Sequence, residues 1–202
     1  MTRQVGIYLY NDIEVLDFAG PFEVFSTASR VKSRLQPEAP IPFEVITVHE
    51  HIRPIKARGG LVVIPDYRIT NHPPIDVLII PGGVVTAELD REALIDWIRR
   101  TASNSTITAS VCTGAFLLGK AGLLQGKSAT THWEDIPDMR TMFPDTLVQT
   151  HIRWVDTGHI VTSAGISAGI DMSLHLVARL ESEDLAVRTA RQMEYDWSMI
   201  QS

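Results

Sequence analysis

Cysteine occurs once in the chain, at Cys112, and chemistry can be organised around it. Thr106 to Val111 ahead of it is short, mostly apolar and rich in β-branched residues, which predicts a buried strand. Behind it, Thr113 to Leu124 carries Phe116, Leu117, Leu118, Leu123 and Leu124, a pattern that suits a buried helix. Gly114 allows the backbone to turn sharply between the two. A thiol at such a corner meets backbone N–H groups and the positive end of a helix dipole. It is therefore expected to ionise easily, and the thiolate is the reactive form. A lone cysteine also reads as a small buried hydrophobe, and the local residues leave both readings open.

Other residues gather at the same predicted edge. Asp17 lies just before a helix that Pro21 is expected to open, near the end of a first strand, Val5 to Tyr10. Ligands of open α/β sheets bind at that edge, although an Asp at such a point also serves as a turn or capping residue. Glu23 is a second carboxylate, expected in the first helical turn. Gly82-Gly83 closes the apolar run from Asp76. A glycine pair there either presents N–H groups as an oxyanion site or simply connects strand to helix. His132 and Trp133, among polar neighbours, could wall a pocket. His49 and His51 lie close together, but no nearby Cys, Asp or His completes a metal ligand set.

The elements that must hold these residues alternate. Strands are expected at Phe43 to His49, at Asp76 onward and before Cys112, with a glycine-turned hairpin at Ile55 to Val63. Helices are expected to about Arg30, over Arg91 to Arg100, from Gly165-Ile166 to about Arg179, with Ser167 as cap, and from Glu183 to Tyr195. Lys32 to Pro42 reads as a loop. A hairpin is expected from Leu147 to Ala164 around Asp156-Thr-Gly158. Buried strands alternating with helices predict a parallel-sheet α/β fold, and 202 residues without a linker favour one domain over 1–202.

With 45% hydrophobic residues the chain can build a substantial core. A net charge of −6 and the lack of a dense Lys/Arg run argue against nucleic acid or an acidic membrane as partner. One cysteine excludes an internal disulfide framework and fits a reducing compartment. The N-terminus enters a strand at once without a signal-peptide pattern, and no apolar run is long enough for a bilayer, so a soluble cytoplasmic protein is expected.

Six ordered stretches then carry a resemblance. They are Leu16-Asp-Phe-Ala-Gly-Pro, Ile80-Pro-Gly-Gly, Ser110-Val-Cys-Thr-Gly, Ala121-Gly-Leu-Leu-Gln-Gly, Thr130-Thr-His-Trp and Ala164-Gly-Ile-Ser-Ala-Gly-Ile-Asp. Together they resemble the ThiJ/PfpI superfamily, and most of all its isocyanide hydratase branch. The resemblance implies a flavodoxin-like (class I glutamine amidotransferase-like) sandwich, usually a homodimer. It implies a nucleophile at Cys112 and an acidic partner at Asp17, four residues before Pro21. Gly83 and Thr113 match positions whose amides line an anion site, Thr113 also matches a pocket hydroxyl, and Gly165 and Ile166 match pocket-wall positions.

What the resemblance implies chemically is hydration of an isocyanide to a formamide through a cysteine thioimidate, with no metal or organic cofactor and a small molecule as the partner. Protease-like and glyoxalase-like members often carry His directly after the cysteine, where this chain has Thr113. A cofactor-free glyoxalase or related hydrolase is thus the second enzymatic reading. Regulators of the AraC type carry a similar domain before a helix-turn-helix module, for which a chain ending at Ser202 leaves no room. A non-enzymatic small-molecule or oxidation sensor is therefore a third.

Overall fold

The computed structural model describes residues 1–197. In chain order the elements are β1 (Arg3–Tyr8), α1 (Val15–Leu35), β2 (Phe43–His49), β3 (Ile55–Lys56), β4 (Val62–Val63), β5 (Tyr67–Arg68) and β6 (Val77–Ile80). They continue with α2 (Thr86–Leu89), α3 (Glu92–Asn104), β7 (Ile107–Val111), α4 (Gly114–Lys120), β8 (Ser128–Ala129), α5 (Ile136–Met142) and β9 (Leu147–Val148). The last are β10 (Trp154–Asp156), β11 (Ile160–Ser163), α6 (Ala168–Leu180) and α7 (Glu183–Gln192).

The central sheet runs β10-β11-β7-β6-β1-β2-β5. Every pairing is parallel except β10 with β11. β6 and β7 are buried at every position, as parallel strands covered on both faces must be. Helices α1, α6 and α7 pack on one another as one layer, with Phe25 of α1 edge-on to Phe43 of β2 at 4.9 Å between ring centroids. Trp97 of α3 covers Tyr8 of β1, and α3 in turn meets α4. The result is the parallel-sheet α/β fold that the strand–helix alternation predicts, in the flavodoxin-like form that the resemblance implies. No helix among the described residues is long and apolar enough to cross a membrane.

Several boundaries move. Helix α1 begins at Val15, so Pro21 lies inside it and does not open it. Proline lacks the N–H that would have bonded the carbonyl four residues back, which is that of Asp17. Asp17 consequently sits within the first turn of the helix, and Glu23 well beyond that turn. The helix also runs on to Leu35, shortening the loop expected from Lys32. Ser167 stands at the start of α6 with helical φ and ψ and makes no capping bond. The hairpin at 55–63 forms with Gly59 and Gly60 at its turn, both at positive φ.

Parallel pairing in the order β7-β6-β1 puts the carboxyl ends of three central strands side by side. The closest backbone approach there falls at Gly114, where a Cβ would overlap the carbonyl oxygen of Ile80 and meet Pro81 at 2.9 Å. Both obstacles are backbone at a sheet edge and cannot rotate away. Gly114→Ala should therefore destabilise the fold by about 3 kcal/mol or more, read from urea melts.

Candidate active site

Each of the three strand ends contributes one part of a single site. From β1 the chain passes through Ile13, which bridges Gly83, into the first turn of α1, where Asp17 is fully buried. From β6 it enters Pro81-Gly82-Gly83. From β7 it reaches Cys112, which is buried and holds a φ of 56°. A non-glycine residue in that region is strained, and its neighbours hold it there. The Cys112 N–H donates to the carbonyls of Ser163 (3.2 Å) and Ala164 (3.3 Å), and the Thr131 hydroxyl donates to the Cys112 carbonyl at 2.9 Å. The strained corner turns the thiol away from the sheet, as in a nucleophile elbow.

The two glycine amides expected to face an anion are engaged within the protein. Gly82 N–H donates to Asp17 Oδ2 at 3.0 Å. Gly83 N–H donates to Thr113 Oγ1 at 2.9 Å, and that hydroxyl donates back to the Gly83 carbonyl, also at 2.9 Å. The glycine loop therefore fixes the Asp17 carboxyl and the Thr113 side chain. The amide that acts on the sulfur is that of Thr113. Asp17 Oδ1 is buried and takes no N–H or O–H donor, which disfavours the ionised carboxylate, while the Cys112 thiol beside Asp17 favours it.

Electrostatics correct the expectation of an easily ionised thiol. Burial, with the Asp17 carboxylate beside it, pushes the Cys112 thiol up to about 12, against the opposing pull of the Thr113 amide and hydroxyl. Helix α4 is only seven residues long, and its dipole does not outweigh the loss of water. Burial likewise pushes Asp17 up to about 7, although the Gly82 amide favours its ionised form. Between about pH 7 and about pH 12 the pair thus holds one proton between them. Moving that proton onto Asp17 removes the negative charge that holds the thiol up, so thiolate forms where Asp17 is neutral.

Cys112 opens on a cavity of about 210 Å³ lined by Gly83, Thr113, His132, Ile166, Glu14, Arg58, Glu134 and Asp135. His132 and Ile166 thus stand in the same wall as the sulfur. Gly165 stands behind the wall, where a Cβ would collide with the His132 ring, 2.9 Å from its Cγ. Asp17 and Gly82 lie beneath the cavity and do not line it. Trp133 is exposed outside it. Glu14, Arg58, Glu134 and Asp135 join the wall from segments that no motif in the sequence connects to Cys112. Glu14 and Arg58 pair at 3.3 Å from two separate segments, and His132 Nδ1 lies 3.3 Å from Asp135. An acidic cluster beside His132 was the only available signal.

His49 is not a ligand in waiting. It is buried, its Nδ1 lies 2.8 Å from the Leu9 carbonyl, and burial lowers its pKa to about 4. Among the described residues no three His, Cys, Asp or Glu side chains are grouped to hold a metal.

Known proteins share this arrangement of chain. The pattern of the DJ-1/PfpI family matches residues 3–179. The isonitrile hydratase of Pseudomonas putida is 34% identical over 196 residues, spanning 96% of this chain and 79% of its own length. The HTH-type transcriptional regulator GbdR of Pseudomonas aeruginosa is 27% identical over 195 residues. This chain spans about half of that regulator, 51% of its length, with 96% of its own. A crystal structure of a ThiJ/PfpI family protein from Pseudomonas syringae superposes with a TM-score of 0.84 at 25% identity, covering 98% of this chain and 77% of that one.

The raised carboxyl has a measurable cost. A carboxyl whose folded pKa lies above its ordinary value contributes its full stability below that ordinary value and loses it as pH rises toward the folded one. For Asp17 the window runs from 3.8 to about 7. The stability of Asp17→Asn relative to wild type should grow across that window, by up to about 4 kcal/mol in urea melts at pH 4 and pH 8. The same variant should lower the alkylation midpoint of Cys112 below that of wild type, followed with iodoacetamide against pH.

Proposed function

This chain belongs to the DJ-1/PfpI family, and from that premise we propose that it hydrates isocyanides, R–NC, to N-substituted formamides through a thioimidate on Cys112. The observation that carries the proposal is the buried Asp17 carboxyl beside the Cys112 thiol, with the sulfur opening on a small cavity. A terminal isocyanide carbon is small, electrophilic and soft, which suits both the sulfur and the narrow space above it. Likeness to the Pseudomonas putida isonitrile hydratase supports the same reading.

The reaction follows from where the proton sits. The thiol proton passes to Asp17 and the sulfur bonds to the terminal carbon. Asp17 then delivers that proton to the same carbon, giving S–CH=N–R. As a carboxylate again, Asp17 takes a proton from water while the water oxygen adds to that carbon. The proton passes to nitrogen, the C–S bond breaks, C=O forms, and the hydroxyl proton returns to sulfur. The sum is R–NC plus water to R–NH–CHO, and the chain is unchanged. The Thr113 amide stabilises the charge that develops beside the sulfur. Gly83 acts by holding Thr113, Gly82 by holding Asp17.

The raised thiol supports this reading over an oxidation sensor, since easy oxidation follows thiolate character at an exposed site. Thr113 in place of the adjacent His likewise argues against the glyoxalase reading. The proposal includes a cytoplasmic homodimer. The exposed apolar side chains Leu61, Val62 and Ile64 around the hairpin, and Leu16 and Phe22 on α1, are surfaces a second copy could cover.

Formamide production from a panel of alkyl and aryl isocyanides tests the reaction. Cys112→Ala should fall to background, and Asp17→Asn should lose about a hundredfold or more in kcat. Wild-type kcat/KM should rise with pH through about 7 as the pair reaches its singly protonated state, and that limb should vanish in Asp17→Asn. Full activity in Cys112→Ala would end the covalent scheme.

A further inference from the structure

The cavity above Cys112 is small, about 210 Å³. It lies below the roughly 300 Å³ of typical ligand pockets, and its wall is mostly charged and polar, so an apolar substituent finds little to pack against beside the sulfur. A second cavity adjoins it. This one measures about 420 Å³ and lies between α2, α4 and α5. The two share Thr113 and Asp135 in their walls, so they meet at these residues.

The wall of the larger cavity is apolar where it is deep. Val85 and Leu89 come from α2 and its approach, Phe116 from α4 and Met142 from the end of α5. Phe116 and Val85 are buried, whereas Met142 is half-exposed at the opening. The charges around both cavities are mostly negative. Asp135 and Asp138 line the larger one, Glu14 and Glu134 the smaller. Arg58, the lining cation, is paired with Glu14.

We infer that the Val85–Leu89–Phe116–Met142 cavity receives the substituent of the substrate and selects uncharged apolar groups of about four to seven carbons over small or anionic ones. The inference rests on the hydratase reading for its reaction but not for its binding. A substituent reaching past Thr113 buries its methylenes against Phe116 and Leu89, and each such methylene raises kcat/KM about three- to fourfold. A carboxylate at the same place meets Asp135 and Asp138 with no unpaired cation among the lining residues.

Two readouts test it. The first is kcat/KM of wild type for methyl, butyl and benzyl isocyanide and for 4-isocyanobutanoate, repeated in Met142→Trp and Met142→Ala. The second is the methyl NMR signal of 13C-methyl-Met142 in Cys112→Ala titrated with the same compounds, which reads occupancy without turnover. Butyl should exceed methyl by at least tenfold in wild type, the carboxylate should fall at least tenfold below butyl, and Met142→Trp should compress the butyl-to-methyl ratio. The Met142 signal should move with butyl and benzyl isocyanide and not with methyl. Turnover that is indifferent to chain length, with a stationary Met142 signal, overturns the inference and leaves the hydratase reading in place. Absent turnover with a moving Met142 signal does the reverse. Absent turnover and a stationary signal overturn both.

Discussion

A carboxyl and a thiol buried against each other at a sheet edge govern this molecule. Removing Asp17 and Cys112 from water makes each a poor anion, and each anion would worsen the other's position. Much of the surrounding structure answers to that constraint. The Thr131 hydroxyl pins the strained Cys112 carbonyl, Gly82 holds one oxygen of Asp17 and leaves the other unpartnered, and Gly83 clasps Thr113 so that its amide meets the sulfur. The parallel sheet is what makes such burial feasible, because the pair hangs from strand ends that are themselves covered on both faces.

The sheet was legible in the sequence because its central strands are short apolar runs with no polar alternation, and such runs have few other structural meanings. The elbow was legible for a similar reason, since Val111-Cys112-Thr113-Gly114 combines a buried run with the one residue type that allows two strand ends to touch. The start of α1 was not, because Pro21 is a strong but ambiguous sign of a helix opening and here the helix absorbs it. The thiol's chemistry was not legible, because it depends on burial depth. A local pattern shows a dipole but not how much water is excluded. The cavity walls were the least legible part. Arg58, Glu14 and Asp135 come from three segments with no shared spacing, and only the folded chain brings them to one opening.

The relatives divide along a line that the fold does not draw. One is a hydratase and another a transcriptional regulator, and both match this chain over 96% of its length. Shared architecture therefore says little about reaction. What can differ is the space around the elbow: which side chains stand with Thr113 and Asp135 where the two cavities meet, and what lines the larger one. Those positions fall on α2 and α5, on the turns beside them and on the start of α4, short elements outside the sheet.

The buried thiol also reverses a common relation between folding and damage. In an unfolded chain Cys112 would return to the ordinary thiol range near pKa 8.5, well below its folded value of about 12. The native fold is thus the form in which the sulfur is best shielded from adventitious oxidants, and a nascent or heat-damaged chain is the vulnerable one. Because each chain carries a single cysteine, disulfide cross-linking among unfolded chains stops at covalent pairs and cannot propagate into a network.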